Sequence, residues 1–214
     1  MKIIFVRHGL TDANINWTYS KEDTVLAKEG LYILDKTKKL LDPYRIDKVY
    51  TSNLIRSQET AKILGYDDFV IDSRINEMNF GDFRGRGIDE VRESEKEFFK
   101  REKNDYFSMK YPNGESRKDV IRRTSNFLDE ISKAKEETIL CISHGIAIRS
   151  TLFWILRDLN NWSNFWIDNG SLTIYKIENG KKLIESVNKI WNSSTWRMLI
   201  WPILLILKIN SQKP

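Results

Sequence analysis

Short apolar runs rich in Ile and Val occur at 2–6, 46–51 and 138–143, as expected of strands buried on both faces. Between them the period changes. Leu31, Leu34 and Leu41 fall at helical spacing, and Val120, Thr124, Phe127, Leu128 and Ile131 form an amphipathic stripe. Strands alternating with helices predict a three-layer α/β fold, a mostly parallel sheet with helices on both faces. Near the end, 171–177 and 182–187 flank Asn179-Gly180, the pair favoured in a two-residue type I′ turn, which predicts one antiparallel edge hairpin. No repeat, low-complexity tract or linker divides the chain. Residues 1–195 read as one domain, with 82–118, rich in Arg, Glu, Lys and Asn, as an insertion placed to cover a ligand, and 196–214 as an apolar C-terminal tail.

This architecture says where chemistry belongs. In open α/β sheets ligands bind beyond the carboxyl ends of the parallel strands. Arg7 and His8 follow the first run, Ser52 to Arg56 the second, and His144 the third, so residues distant in sequence are expected on one rim.

The chain has 214 residues, 41% hydrophobic and 30% charged, enough for one domain with a sizeable core. The formal charge of +5 is spread among mixed acidic and basic residues rather than clustered. That speaks against a nucleic-acid partner and suits a small anionic one. One cysteine, Cys141, lies inside an apolar run, so neither an internal disulfide nor a CxxC site is available. The chain opens directly on a strand without a signal peptide, and a cytoplasmic location is the expectation. There are only two histidines, His8 and His144, and each ends an apolar run and precedes a glycine. Two histidines without HxH or HxxxH spacing supply too few ligands for a catalytic metal, so neither a metal nor another cofactor is expected.

Six segments then carry a resemblance in order. Arg7-His8-Gly9 with Thr11 and Asn14 looks like an RHGxTxxN signature, and Leu26 to Gly30 like LTxxG. Ser52, Leu54, Arg56, Gln58 and Thr60-Ala61 resemble SxLxRxxQTA. Glu77 to Gly81 resembles ExxFG, Pro112 to Ser116 resembles PxGES, and Ser143-His144-Gly145 a second histidine motif. Together they resemble the histidine phosphatase (phosphoglycerate mutase-like) superfamily over residues 1 to about 190. The stretch from Arg74 to Asp82 is most similar to its α-ribazole phosphatase and broad-specificity phosphatase branch.

The resemblance implies a catalytic set of His8, Glu77, Arg7, Arg56 and His144. His8 would be the nucleophile and Glu77 the acid–base group, with Arg7, Asn14, Arg56 and His144 binding the phosphate. The chemistry of these residue types agrees. Phosphate monoesters are dianions, and forked arginine donors complement their oxygens in the transition state. The same cations keep a neighbouring histidine neutral and nucleophilic, and a covalent phosphohistidine splits one difficult transfer into two. A partly desolvated carboxyl can protonate the departing alkoxide and later deprotonate water.

The chain also departs from the pattern. The family often has Tyr-Gln-Gly where this sequence has Tyr19-Ser20-Lys21, followed by Glu22 and Asp23. After Phe83 it often has Glu-Gly, where Arg84-Gly85 here reverses the charge. Both changes bear on substrate choice. The histidine-containing insertion that marks phosphoglycerate mutases after the glutamate is missing, which favours hydrolysis of small phosphorylated metabolites over mutase-type transfer. A non-catalytic phospho-ligand-binding relative would be expected to have lost His8 or Glu77. The run Met198 to Leu207 is too short to span a bilayer, and Pro202 interrupts it. Packing on its own domain, a peripheral membrane contact or a homodimer contact through 196–209 all remain open.

Overall fold

In the computed structural model, residues 1–158, 160 and 162–191 are described, so the C-terminal tail and the contacts expected of it lie outside the described residues. Among the described residues six strands form one sheet: β1 (Lys2–Arg7), β2 (Lys48–Thr51), β3 (Val70–Ile71), β4 (Thr138–Ser143), β5 (Leu172–Glu178) and β6 (Lys181–Lys189). Their order is β3-β2-β4-β1-β5-β6. The first four are mutually parallel, while β5 runs antiparallel to β1 and to β6. The expected hairpin is present, and Asn179 and Gly180 have φ of 51° and 75°, the positive pair of a type I′ turn.

Alternation along the buried strands divides the core in two. Ile3, Phe5, Ile139 and Cys141 face one side, against Phe127, Leu128 and Ile131 of α6 (Arg117–Ile131) and against Ile148 and Trp154. Ile148 belongs to α7 (Gly145–Thr151) and Trp154 to α8 (Phe153–Leu156). Ile4, Val6, Leu140 and Ile142 face the other side, against Leu34 and Leu41 of α2 (Leu31–Leu41) and Ala61 of α3 (Ile55–Ile63). The sequence stripe of α6 is the buried face. In α2, Leu31 is the exception at 43% exposure, being offset by about 60° from Leu34 around the axis. Thr37 takes a buried place instead and donates to the carbonyl of Gly170.

A short α1 (Asp12–Ile15) follows β1, and two helices, α4 (Ile88–Ser94) and α5 (Lys96–Asn104), lie within 82–118. This region has its own core, in which Phe83, Val91, Phe98 and Tyr111 pack with Tyr19 and Met78. Buried Arg117 pairs with Glu102 at 2.7 Å. The region supplies Arg84 and Glu115 to a cleft beside the sheet's rim. Among the described residues, no helix is long and apolar enough to cross a membrane.

The two kinds of apolar position can be separated by experiment. Phe127 is fully buried between Phe5 and Tyr50. Phe127→Ala is expected to cost about 3–5 kcal/mol in urea denaturation, whereas Leu31→Ala changes stability by about 0.5 kcal/mol or less. Similar losses for the two would contradict this assignment of the core.

Candidate active site

The parallel strands end on one rim, and the candidate residues meet there. The amide of His8 donates to Ser143 O, the amide of Ser52 to Ile142 O, and the amide of Gly170 to Arg7 O. The His8 and His144 rings lie 5.0 Å apart, centroid to centroid, and both are buried.

His8 Nδ1 lies 2.6 Å from the carbonyl oxygen of its neighbour Gly9. A carbonyl can only accept, so Nδ1 carries the proton and Nε2 is left with its lone pair. Burial, then Arg56 and Arg7, push the His8 pKa well below 6.5. His144 is lowered in the same way, by burial and then by Arg56. Its Nε2 lies 2.7 Å from Ser52 Oγ, which also accepts from the Leu54 amide and touches Ser57 Oγ. Nδ1 of His144 is a buried atom with no partner among the described residues, and it carries the ring's single proton in the tautomer that accepts from Ser52 at Nε2.

Two guanidiniums, Arg56 buried and Arg7 partly buried, flank the histidines. Arg7 NH1 donates to Ile167 O at 2.6 Å and Arg56 NH1 to Lys21 O at 2.9 Å, while the Nε atoms of both find no partner among the described residues. Burial lowers the pKa of both, Arg56 to about 10, a value that leaves Arg56 charged at neutral pH. The negative charge of Glu77 acts on both and opposes that lowering. Its oxygens accept from the amides of Met78, Ala147 and Ile146, at 2.9, 3.3 and 3.4 Å, which draws it against the start of α7.

Asn14 occupies a different position from the others. Its Oδ1 caps α1 by accepting from the backbone and hydroxyl of Thr11, and accepts again from Asn169 Nδ2. Its own Nδ2 is thereby left as the group available to a ligand. Asn169 is a residue that the sequence reading missed. The same amide donates to the carbonyls of His8 and Gly9, holding the nucleophile's backbone. It precedes β5, whose antiparallel direction brings its start to the rim where the parallel strands end; that direction was the available signal.

Arg123 was also missed, because it lies off the apolar stripe of α6. It donates to the carbonyls of Arg74, Asn76 and Glu77 and pairs with Glu115 at 2.9 Å, fixing the segment that carries Glu77. The same segment is pressed against 112–116. Gly81 has φ of 55°, and a Cβ there would lie 1.8 Å from Pro112 O. Glycine is therefore required at this position.

A cleft of about 360 Å³ opens over Arg56 and Glu77. The two sequence departures meet at its wall, where Arg84 NH1 forms an ion pair with Glu22.

The chain matches the model of the histidine phosphatase superfamily (branch 1) over residues 3–190. It is similar to phosphoserine phosphatase 1 of Hydrogenobacter thermophilus, with 26% identity over 205 residues, covering 88% of this chain and 92% of that one. It is also similar to a protein of Escherichia coli named probable phosphoglycerate mutase GpmB, with 25% identity, covering 92% and 90%. The crystal structure of the α-ribazole phosphatase of Shigella flexneri superposes with a TM-score of 0.80 at 26% identity, covering 88% of this chain and 96% of that one.

Keeping two histidines neutral has a consequence for stability. Their folded pKa values lie well below the 6.5 of the unfolded chain. Below pH 6.5 the unfolded state therefore binds more protons, and stability falls as pH falls, by up to about 1.4 kcal/mol per pH unit for each histidine. Urea denaturation at pH 7.5 and 5.5 is expected to show this loss, and His144→Gln to reduce it. Equal stability at the two pH values would contradict the burial of neutral rings.

Proposed function

The chain belongs to the histidine phosphatase superfamily, and on that premise we propose that it is a phosphomonoesterase that hydrolyses small phosphorylated metabolites through a phosphohistidine on His8, without a metal. The observation that carries this reading is the set of buried nitrogen atoms left open around His8 among the described residues: the Nε atoms of Arg7 and Arg56, and His144 Nδ1. Orphaned buried polar atoms are rare in proteins, and three beside one buried histidine fit the oxygens of a phosphoryl group when His144 carries its proton on Nδ1.

His8 Nε2 attacks phosphorus, and the bond to the leaving oxygen breaks. Arg7 and Arg56 carry the charge that spreads over the phosphoryl oxygens, His144 donates from Nδ1, and the Asn14 amide adds a further donor. Glu77 protonates the departing alkoxide. In the second step a water replaces the alcohol, Glu77 takes its proton, and the P–N bond breaks to release phosphate. The two arginines supply the positive charge that a metal would otherwise bring.

Two features support hydrolysis over mutase-type transfer: the chain between Glu77 and Pro112 lacks a histidine, and a cleft stands open beside Glu77 for water. On this reading the enzyme releases inorganic phosphate and does not interconvert 2- and 3-phosphoglycerate.

The division of labour is testable with leaving groups of different basicity, assayed in excess chelator. Glu77→Gln is expected to slow an alkyl phosphate about a hundredfold, and nitrophenyl phosphate, whose leaving group needs little protonation, far less. Equal slowing of both would remove Glu77 as general acid. Activity abolished by chelator and restored by magnesium or zinc would remove the metal-free mechanism.

A further inference from the structure

The walls of the cleft bear on the leaving group, an assignment that rests on the phosphatase reading of the site. Seven charged side chains line the cleft, four cationic and three carboxylate. Glu115 is taken by Arg123, Glu22 by Arg84, and Glu77 by backbone amides. Arg56 lies at the inner end among the phosphoryl donors. Lys21 is left, with no hydrogen-bond or ion-pair partner for its Nζ among the described residues.

Lys21 is nonetheless placed. Its backbone carbonyl accepts from Arg56, which ties its loop to the phosphate site. Its side chain lies over Gly85, where φ is 82° and a Cβ would come within 2.3 Å of Lys21 Cε. The bare glycine lets the lysine stem lie alongside the Arg84 segment. Arg84 itself donates through Nε to Gly81 O and through NH1 to Glu22, leaving NH2 without a partner among the described residues. The surplus at the cleft wall is one positive charge, which matches a carboxylate better than a second phosphate dianion. The lining includes no aromatic side chain, its apolar members being Leu54 and Met78, so an aromatic base would find no stacking face there.

We propose that Lys21, with Arg84 beside it, binds a carboxylate on the leaving group, and that the enzyme's preferred substrates are small carboxylated phosphomonoesters rather than phosphates of aromatic nucleosides. Lys21 is then a specificity-determining residue acting away from the reacting bond, and its effect falls on KM for the acid.

A matched pair of substrates tests this: 3-phosphoglycerate and glycerol 3-phosphate differ only in carboxylate against hydroxymethyl. Wild-type enzyme is expected to favour the acid by roughly fivefold or more in kcat/KM, the scale of a partly solvated ion pair. In Lys21→Met the ratio between the two substrates collapses toward one through KM for the acid, Lys21→Arg retains it, and Lys21→Glu inverts it. Because the readout is a ratio within each variant, a general loss of activity cancels. An equal rate on both substrates in the wild type, a preference that survives in Lys21→Met, or a better rate on α-ribazole phosphate than on the acid would overturn the proposal while leaving the phosphatase reading intact. Failure to hydrolyse any ester, nitrophenyl phosphate included, would overturn the phosphatase reading and this proposal with it.

Discussion

Two guanidiniums, Arg56 buried and Arg7 partly buried, in the field of Glu77 are the constraint on which the rest of this site depends. Moving a charge out of water costs several kcal/mol unless partners replace the water. Here the replacement is partial. Arg7 and Arg56 each spend one NH1 on a backbone carbonyl, from Ile167 and Lys21 respectively, and share the field of Glu77. Their Nε donors have no acceptor among the described residues. A phosphoryl group arriving there would supply the missing acceptors and the missing negative charge together. The same unbalanced positive field, added to burial, keeps both histidines neutral, so the feature that binds phosphate also preserves the nucleophile.

The fold holds these cations in place by bringing strand ends together. Arg7 ends β1, and Ser52 and His144 follow β2 and β4; the three strands lie side by side in the sheet. The antiparallel β5 adds the turn carrying Ile167 and Asn169 to the same rim, one holding Arg7 and the other the His8 and Gly9 carbonyls. Glu77 arrives on a segment outside the sheet, and its position depends on Arg123, Glu115 and the close approach at Gly81. Phosphoryl binding is thus built on the rigid sheet, while the groups facing the leaving group sit on loops.

That division explains what could be read from the sequence. Strands buried on both faces leave uninterrupted apolar runs, so β1, β2 and β4 and the residues at their ends were legible, as was the hairpin through Asn179-Gly180. Val70–Ile71 pair as a two-residue edge strand and are exposed, giving no pattern to detect. In 82–118 the buried Val91 and Phe98 are surrounded by charged residues, which concealed α4 and α5 behind the composition of a polar insertion. Asn169 and Arg123 act through backbone carbonyls distant in sequence, and only the path of the chain shows what they hold. Lys21 and Arg84 were visible as departures from the family pattern, but their meeting through Glu22 and Gly85 is a property of the folded molecule.

The central claim is that His8 becomes covalently phosphorylated. Rapid acid-free quenching of the enzyme during turnover of a phosphate monoester, followed by peptide mass spectrometry, tests it directly. The account predicts an acid-labile, base-stable phosphoryl group on the peptide containing His8, absent from His8→Ala. Turnover by His8→Ala at a rate near wild type, or a phosphoryl group found on His144 instead, would contradict it.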